Sequence, residues 1–165
     1  MSPHAHTAAI ALGSNLGDRA ALIRAGTEAL SALPGVRTLR VSQTIQTPAL
    51  VLPDAPPQPP YLNAAVLVQT DAEPESLMRS LLAIERAHGR DRSGPRSARW
   101  SPRTLDLDLL WYDDLVLDTR LLTLPHPELH RRLFVLIPLA EIAPHWRHPT
   151  LNATPAQLLA RLDPA

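Results

Sequence analysis

Apolar residues along this chain switch repeatedly between strand and helix spacing, and that alternation constrains its fold more than any other feature. "TAAIAL" (7–12) is a short apolar strand closed by the turn "GSNLGD". Asp18 is then placed to cap a helix with Leu22, Ile23, Leu30 and Leu33 roughly on one face, stopped by Pro34 and Gly35. "VRTLRVSQTIQT" (36–47) alternates as a half-buried strand does, and "YLNAAVLVQT" (61–70) does so less strictly. The intervening "PALVLPDAPPQPP" is too rich in proline for a core strand. A second helix starts near Glu73 and Pro74, turns Leu77, Leu81, Leu82 and Ile84 to one side, and ends at Gly89. "TLDLDLLWY" is the next strand, and Asp113 and Asp114 make a turn into "LVLD". The order strand, helix, strand, strand, helix, strand predicts an α+β ferredoxin-like βαββαβ sandwich with an added hairpin. Residues 125–162 read as short, proline-broken helical pieces packed on it.

A chain of 165 residues fills one core, so residues 1–165 are expected to form a single domain. Lys+Arg and Asp+Glu are both 16, so no net field points to nucleic acid or an anionic membrane. Any charge that matters is local. The absence of cysteine excludes disulfides, thiolate metal sites and thiol nucleophiles. Every basic residue is Arg, which excludes Schiff-base chemistry and the phosphate loop ending in Gly-Lys-Ser/Thr. The apolar runs are too short and too interrupted to cross a bilayer, and no signal-like segment opens the chain, so a cytoplasmic protein is expected.

The stretch "RTLDLDLLWYDD" (103–114) sets Asp106 two positions from Asp108 in an apolar run. On a strand both face one side, roughly 7 Å apart, while Leu105, Leu107 and Leu109 face the other. One reading is a wet acidic strand face. The other is a magnesium site, because magnesium takes one or two carboxylates and lets phosphates and waters complete its shell. Without a cation the two charges repel, so the pair would gain value only with metal bound. Just upstream, Arg90, Arg92, Arg96, Arg99 and Arg103 accompany a single acid, Asp91, in a loop broken by Gly94, Pro95 and Pro102. This is either a solvated basic surface or a set of donors for a polyphosphate.

These residues, with "ALGSNLGDR", "QTPAL", "YLNAAV", "IERAHGR", "RWSPRTLDLDLL" and "LPHPELHRRLFVLIPLAEIAP" in that order, resemble the hydroxymethyl-dihydropterin pyrophosphokinases of folate biosynthesis. The resemblance implies transfer of diphosphate from ATP to the hydroxymethyl group of 6-hydroxymethyl-7,8-dihydropterin, with release of AMP. It implies that Asp106 and Asp108 hold two magnesium ions, and that Arg90 and Arg103 stabilise charge developing around the β-phosphorus. It further implies ATP contacts from Glu85, Arg92, Trp100, Thr123, His126 and Arg132. For the pterin it implies Asn63 reading the polar ring edge, Tyr61 and Phe134 as aromatic faces, and Thr47, Pro48 and Leu50 as the pocket rim. The loops 51–60 and 91–99 are longer than the family pattern.

Two rival readings exist. An Arg-rich loop on such a sheet suits an RNA-binding module, but one Phe and two Tyr supply few stacking faces. His126 with His130, or His145 with His148, suggests a zinc hydrolase, yet no glutamate stands in the helical histidine spacing such enzymes use. The expected partners are therefore ATP and the pterin, with neither nucleic acid nor membrane, and the expected state is a stand-alone monomer.

Overall fold

The computed structural model describes residues 5–49, 56–90 and 103–162. Its centre is a five-stranded antiparallel sheet built from β1 (His6–Ser14), β2 (Val36–Val41), β3 (Ile45–Thr47), β4 (Tyr61–Thr70) and β5 (Asp106–Tyr112). The order is β2-β4-β1-β5, and β3 pairs with β4 beyond the end of β2. Helices α1 (Arg19–Ser31) and α2 (Pro74–Ala87) join the strands. After β5 come a small hairpin, β6 (Leu117–Asp118) with β7 (Thr123–Leu124), a 3-10 turn at Leu129–Arg131, then α3 (Leu133–Ile142) and α4 (Pro155–Leu162). The result is a mixed α/β fold, an antiparallel sheet with four α-helices among the described residues.

The two faces of the sheet carry different cores. Ala8, Ile10 and Leu12 of β1, Val66 and Val68 of β4, and Leu107 and Leu109 of β5 pack with Ile23 and Leu30 of α1 and Leu77, Leu81 and Ile84 of α2. On the other face Ala9, Ala65, Leu110 and Trp111 pack with Val135, Leu136, Leu139 and Ile142 of α3 and Leu158 of α4. Leu30, Leu77 and Leu81 are fully buried, and each contributes about 1.5–3 kcal/mol through that burial. Leu110 and Trp111 share a face because the β1–β5 register shifts between Ala9 and Ile10, an irregularity that re-aims the end of β5.

Asp18 caps α1 as the sequence suggests, its Oδ1 accepting the Ala21 N–H at 3.0 Å. The run 36–47, however, is not one half-buried strand. It breaks at residues 42–44: the Ser42 N–H still donates to the Ala65 carbonyl at 2.9 Å, but side chains take the next bonds, Ser42 Oγ accepting the Ala65 N–H at 2.9 Å and the Glu141 carboxylate accepting the Gln43 N–H. A register shift between Thr38 and Arg40 also disturbs its alternation, so Leu39 and Val41 are exposed. Asp113 takes φ 45°, a conformation Asp tolerates better than most residues. Its carboxylate accepts the Thr7 N–H at 2.8 Å and holds the turn against β1.

The segment joining α3 to α4 is organised by His148. Its Nδ1 accepts N–H groups of Thr150 and Leu151, each at 3.3 Å, and its ring lies edge-on to His130 beside Trp146. Trp146 in turn stacks on Trp111, centroids 4.9 Å apart. Burial first, and the neighbouring His130 second, push the His148 imidazole below its ordinary value. The unfolded chain therefore binds the proton more readily, so stability is present above the ordinary histidine range and is lost as pH falls through it. We expect the thermal midpoint to fall between about pH 7.5 and about pH 5.5, and to fall less in His148→Asn. An unaltered pH dependence in that variant would show that His148 does not carry the effect.

Candidate functional site

Register builds the site. β1 pairs with both β4 and β5, placing Gly13 between Asn63 and Asp106, and Ala11 between Ala65 and Asp108. Because strand side chains alternate, Leu107 and Leu109 fill the α1/α2 core while Asp106 and Asp108 emerge on the opposite face. The small residues of β1 leave that face bare between the acids and Asn63. The hollow is lined by Ala11, Leu12, Gly13, Thr47, Pro48, Tyr61, Asn63, Arg103, Asp106, Asp108, Arg132 and Phe134. A Cβ at Gly13 would stand 3.4 Å from Asn63 Oδ1 and 3.6 Å from the Tyr61 ring. A methyl group there would be in ordinary van der Waals contact with both.

On the Asn63 side, the amide Nδ2 donates to Thr47 Oγ1 at 2.8 Å, which fixes the plane of the side chain. Tyr61 and Phe134 add aromatic surface, and the Arg132 guanidinium sits 5.7 Å from the Phe134 ring centre. Burial raises the Tyr61 hydroxyl above its ordinary value, with Arg103 and Arg90 pulling the other way, so at neutral pH it is a phenol.

The opposite side is an ion cluster. Arg90 pairs with Asp106 Oδ1 and also with Glu85 Oε1, the latter at 2.5 Å. Arg103 Nη1 donates to Asp106 Oδ2 at 2.7 Å, and Arg132 lies 3.8 Å from Asp108 Oδ2. The sequence suggests two acids that repel until metal arrives; the structure corrects this, because the Asp106 charge is already met by two guanidiniums. Asp108 is the more open of the two, its side chain 32% exposed against 18% for Asp106.

Other residues singled out in the sequence stand farther back. Glu85 is fully buried and does not line the hollow. Thr123 donates its hydroxyl to Asp118 within the β6–β7 hairpin. His126 is also absent from the lining; its Nδ1 accepts the Glu128 N–H at 3.2 Å, and burial lowers its pKa while Asp108 opposes the shift. Leu50, Arg92 and Trp100 lie outside the described residues. Sequence reasoning missed Ala11 and Gly13, although small residues at alternate positions of "AAIALGS" are the signal for a bare strand face. It also missed Asn15, only 1% exposed, whose Oδ1 accepts the Arg103 N–H at 2.8 Å. Among the described residues no three His, Asp or Glu side chains converge as a cation site, which leaves the zinc reading without a ligand set.

A bare strand face with paired acids and arginines on one side, and an amide with aromatic surface on the other, offers charge for ionic ligands beside hydrogen-bonding and stacking surface. The sequence profile of the 7,8-dihydro-6-hydroxymethylpterin-pyrophosphokinase family matches residues 9–144. A 2-amino-4-hydroxy-6-hydroxymethyldihydropteridine pyrophosphokinase of Methylorubrum extorquens is 40% identical over 156 residues, covering 94% of this chain and 93% of its own. The enzyme of the same name from Synechocystis is 39% identical over 158 residues, 96% of this chain and 77% of its own. Among solved structures, Plasmodium falciparum HPPK-DHPS with pterin and p-hydroxybenzoate superposes with a TM-score of 0.73 at 14% identity, covering 97% of this chain. The present chain spans 43% of that longer protein. This chain belongs to the 7,8-dihydro-6-hydroxymethylpterin-pyrophosphokinase family.

The ion cluster makes a prediction for the ligand-free protein. Asp106→Asn removes a charge that two guanidiniums share, so we expect a loss of about 1–3 kcal/mol of stability in urea unfolding. Asp108→Asn, whose cation partner among the described residues is distant and whose side chain is more exposed, should be near neutral. Equal effects would mean that the arginines do not hold Asp106 in solution.

Proposed function

We propose that this hollow carries the reaction of its family. The chain transfers the diphosphate of ATP to the hydroxymethyl group of 6-hydroxymethyl-7,8-dihydropterin and releases AMP, a step of folate biosynthesis. The observation that carries the reading is the row Asn63, Gly13, Asp106, which sets a slot for a flat ring directly next to carboxylates and guanidiniums. We read the strand order β2-β4-β1-β5 as that of a ferredoxin-like sandwich, with α3 and α4 added on its open face.

In this reading Asn63 recognises the polar edge of the pterin, held by Thr47, while Tyr61 and Phe134 cover the ring and Pro48 closes the rim. The hydroxymethyl oxygen attacks the β-phosphorus, and the bridging oxygen leaves with AMP. Arg90 and Arg103 sit where negative charge gathers during that exchange. Arg132 reaches toward Asp108 and is free to meet nucleotide on that side. Asp106 and Asp108 suit magnesium, being two carboxylates on one face of an accessible strand with room for phosphate and water ligands. Bound there as two ions with ATP, magnesium would neutralise the phosphate chain. Neither acid is a natural base for the hydroxyl, so positioning and charge neutralisation supply most of the rate.

Incubation with ATP, magnesium and 6-hydroxymethyl-7,8-dihydropterin should yield AMP and the pterin diphosphate; ADP as the nucleotide product would overturn the assignment. Two sets of variants test the roles. Asn63→Ala should weaken pterin binding by roughly tenfold or more while sparing ATP, since the site leaves a polar edge unpaired. Matching losses for both ligands would indicate damage to β4 instead. Arg90→Ala and Arg103→Ala should each lower single-turnover rates by about 100- to 1,000-fold with a much smaller change in ATP affinity. Preserved turnover would remove both from the chemistry.

A further inference from the structure

Among the described residues Glu85 is the one fully buried acid near the site, and the resemblance casts it as a nucleotide contact. Its surroundings give it different work. It stands near the end of α2, and its Oε1 accepts two donors from opposite sides: the Leu107 N–H at 2.7 Å and Arg90 Nη1 at 2.5 Å. Leu107 lies between Asp106 and Asp108 on β5, which among the described residues is the edge strand of the sheet, with no further strand to take that amide. The Glu85 main-chain carbonyl also accepts the Arg90 N–H at 3.0 Å, so one residue fixes Arg90 at both its backbone and its guanidinium.

A carboxylate removed from water is tolerated only when paired and hydrogen-bonded. Arg90 meets the Glu85 charge, and that pairing draws the guanidinium against β5. The same Nη1 faces Asp106. Arg90 is thus held between a buried anchor and a pocket-facing acid. That arrangement fixes its position without depending on what Asp106 binds.

We propose that Glu85 is a positioning residue: it touches no nucleotide, and it acts by locking Arg90 and the backbone between the two aspartates into place. The proposal rests on the reading of Arg90 as a group that meets developing phosphate charge. It differs from that reading in what it predicts for Glu85 itself.

The test is a double-mutant cycle with Glu85→Gln and Arg90→Ala, measured as ATP affinity by titration and as single-turnover rate. Glutamine preserves shape and can still accept the Leu107 N–H, but it cannot hold a guanidinium by charge. Turnover should fall about 10- to 100-fold, the usual consequence of removing a supporting partner, with ATP affinity little changed. In the Arg90→Ala background Glu85→Gln should add little, because the residue through which it acts is gone. If Glu85→Gln does not fold, Glu85→Asp keeps the charge, withdraws it by one methylene and enters the same cycle. Two results overturn the proposal: a loss of ATP affinity as large as the loss of turnover, which would make Glu85 a direct ligand, or a turnover loss that multiplies in full with that of Arg90→Ala. AMP formation by the unaltered enzyme is scored separately and tests the reaction, whereas the cycle compares variants with one another.

Discussion

The register of β1 against its two neighbours is the constraint on which the rest of this molecule depends. Side chains on a strand alternate with a period of two, so a one-residue slip of β5 would turn Asp106 and Asp108 into the α1/α2 core and expose Leu107 and Leu109. The same slip in β4 would turn Asn63, already buried, into the α1/α2 core and move Ala64 and Val66 to the opposite face. Apolar burial therefore fixes the positions of the polar groups. Leucines and valines hold the register, and the acids and the amide inherit their places from it.

With the register set, electrostatics decides what the acids do before any ligand arrives. Asp106 and Asp108 could keep apart only by hydration, yet Asp106 is mostly enclosed. Arg90 and Arg103 resolve this by reaching it from either end of the arginine-rich segment, and both lie at the boundary of the described residues. Asp106 is consequently the shared counter-ion of both arginines. Among the described residues Asp108 has a distant Arg132 as its cation, and its side chain is the more exposed of the two. Close pairs of guanidinium and carboxylate cost desolvation as well as gaining attraction, so this cluster favours defined geometry over raw stability.

Much of this was legible in the sequence. The alternation in "TLDLDLLWY" was enough to put the acids on one face, and the spacing of Leu77, Leu81 and Ile84 to bury one side of α2. The break within 36–47 was not legible, because it depends on Ser42 meeting Ala65 and Glu141 meeting Gln43, partners distant in sequence. Nor was the place of Glu85. Residue type alone suggests a surface acid on a helix, and only the proximity of β5 and Arg90 shows a buried one. The pairing of Asp106 with two guanidiniums is hidden from the sequence for a related reason. Sequence shows that arginines are near, but not which acid they reach.

Asn15 shows how far such long-range partners extend across the site. It follows β1 directly, and its side chain is almost completely enclosed. Its Nδ2 donates toward Gln58 Oε1 and the Pro59 carbonyl, both at 3.3 Å, while its Oδ1 accepts the Arg103 N–H. Its own N–H donates to the Arg103 carbonyl at 3.1 Å. The proline-rich segment on the Asn63 side and the arginine on the Asp106 side are thus joined through one amide, anchored to the central strand. Arg19 reinforces the first of these links, donating to the Pro60 carbonyl at 2.6 Å. A buried amide with its donors and acceptor satisfied from separate segments cannot shift toward one without losing the other. The two halves of the hollow are therefore referenced to the same strand end, and the distance between the ring slot and the ion cluster is set by β1 itself rather than by either loop.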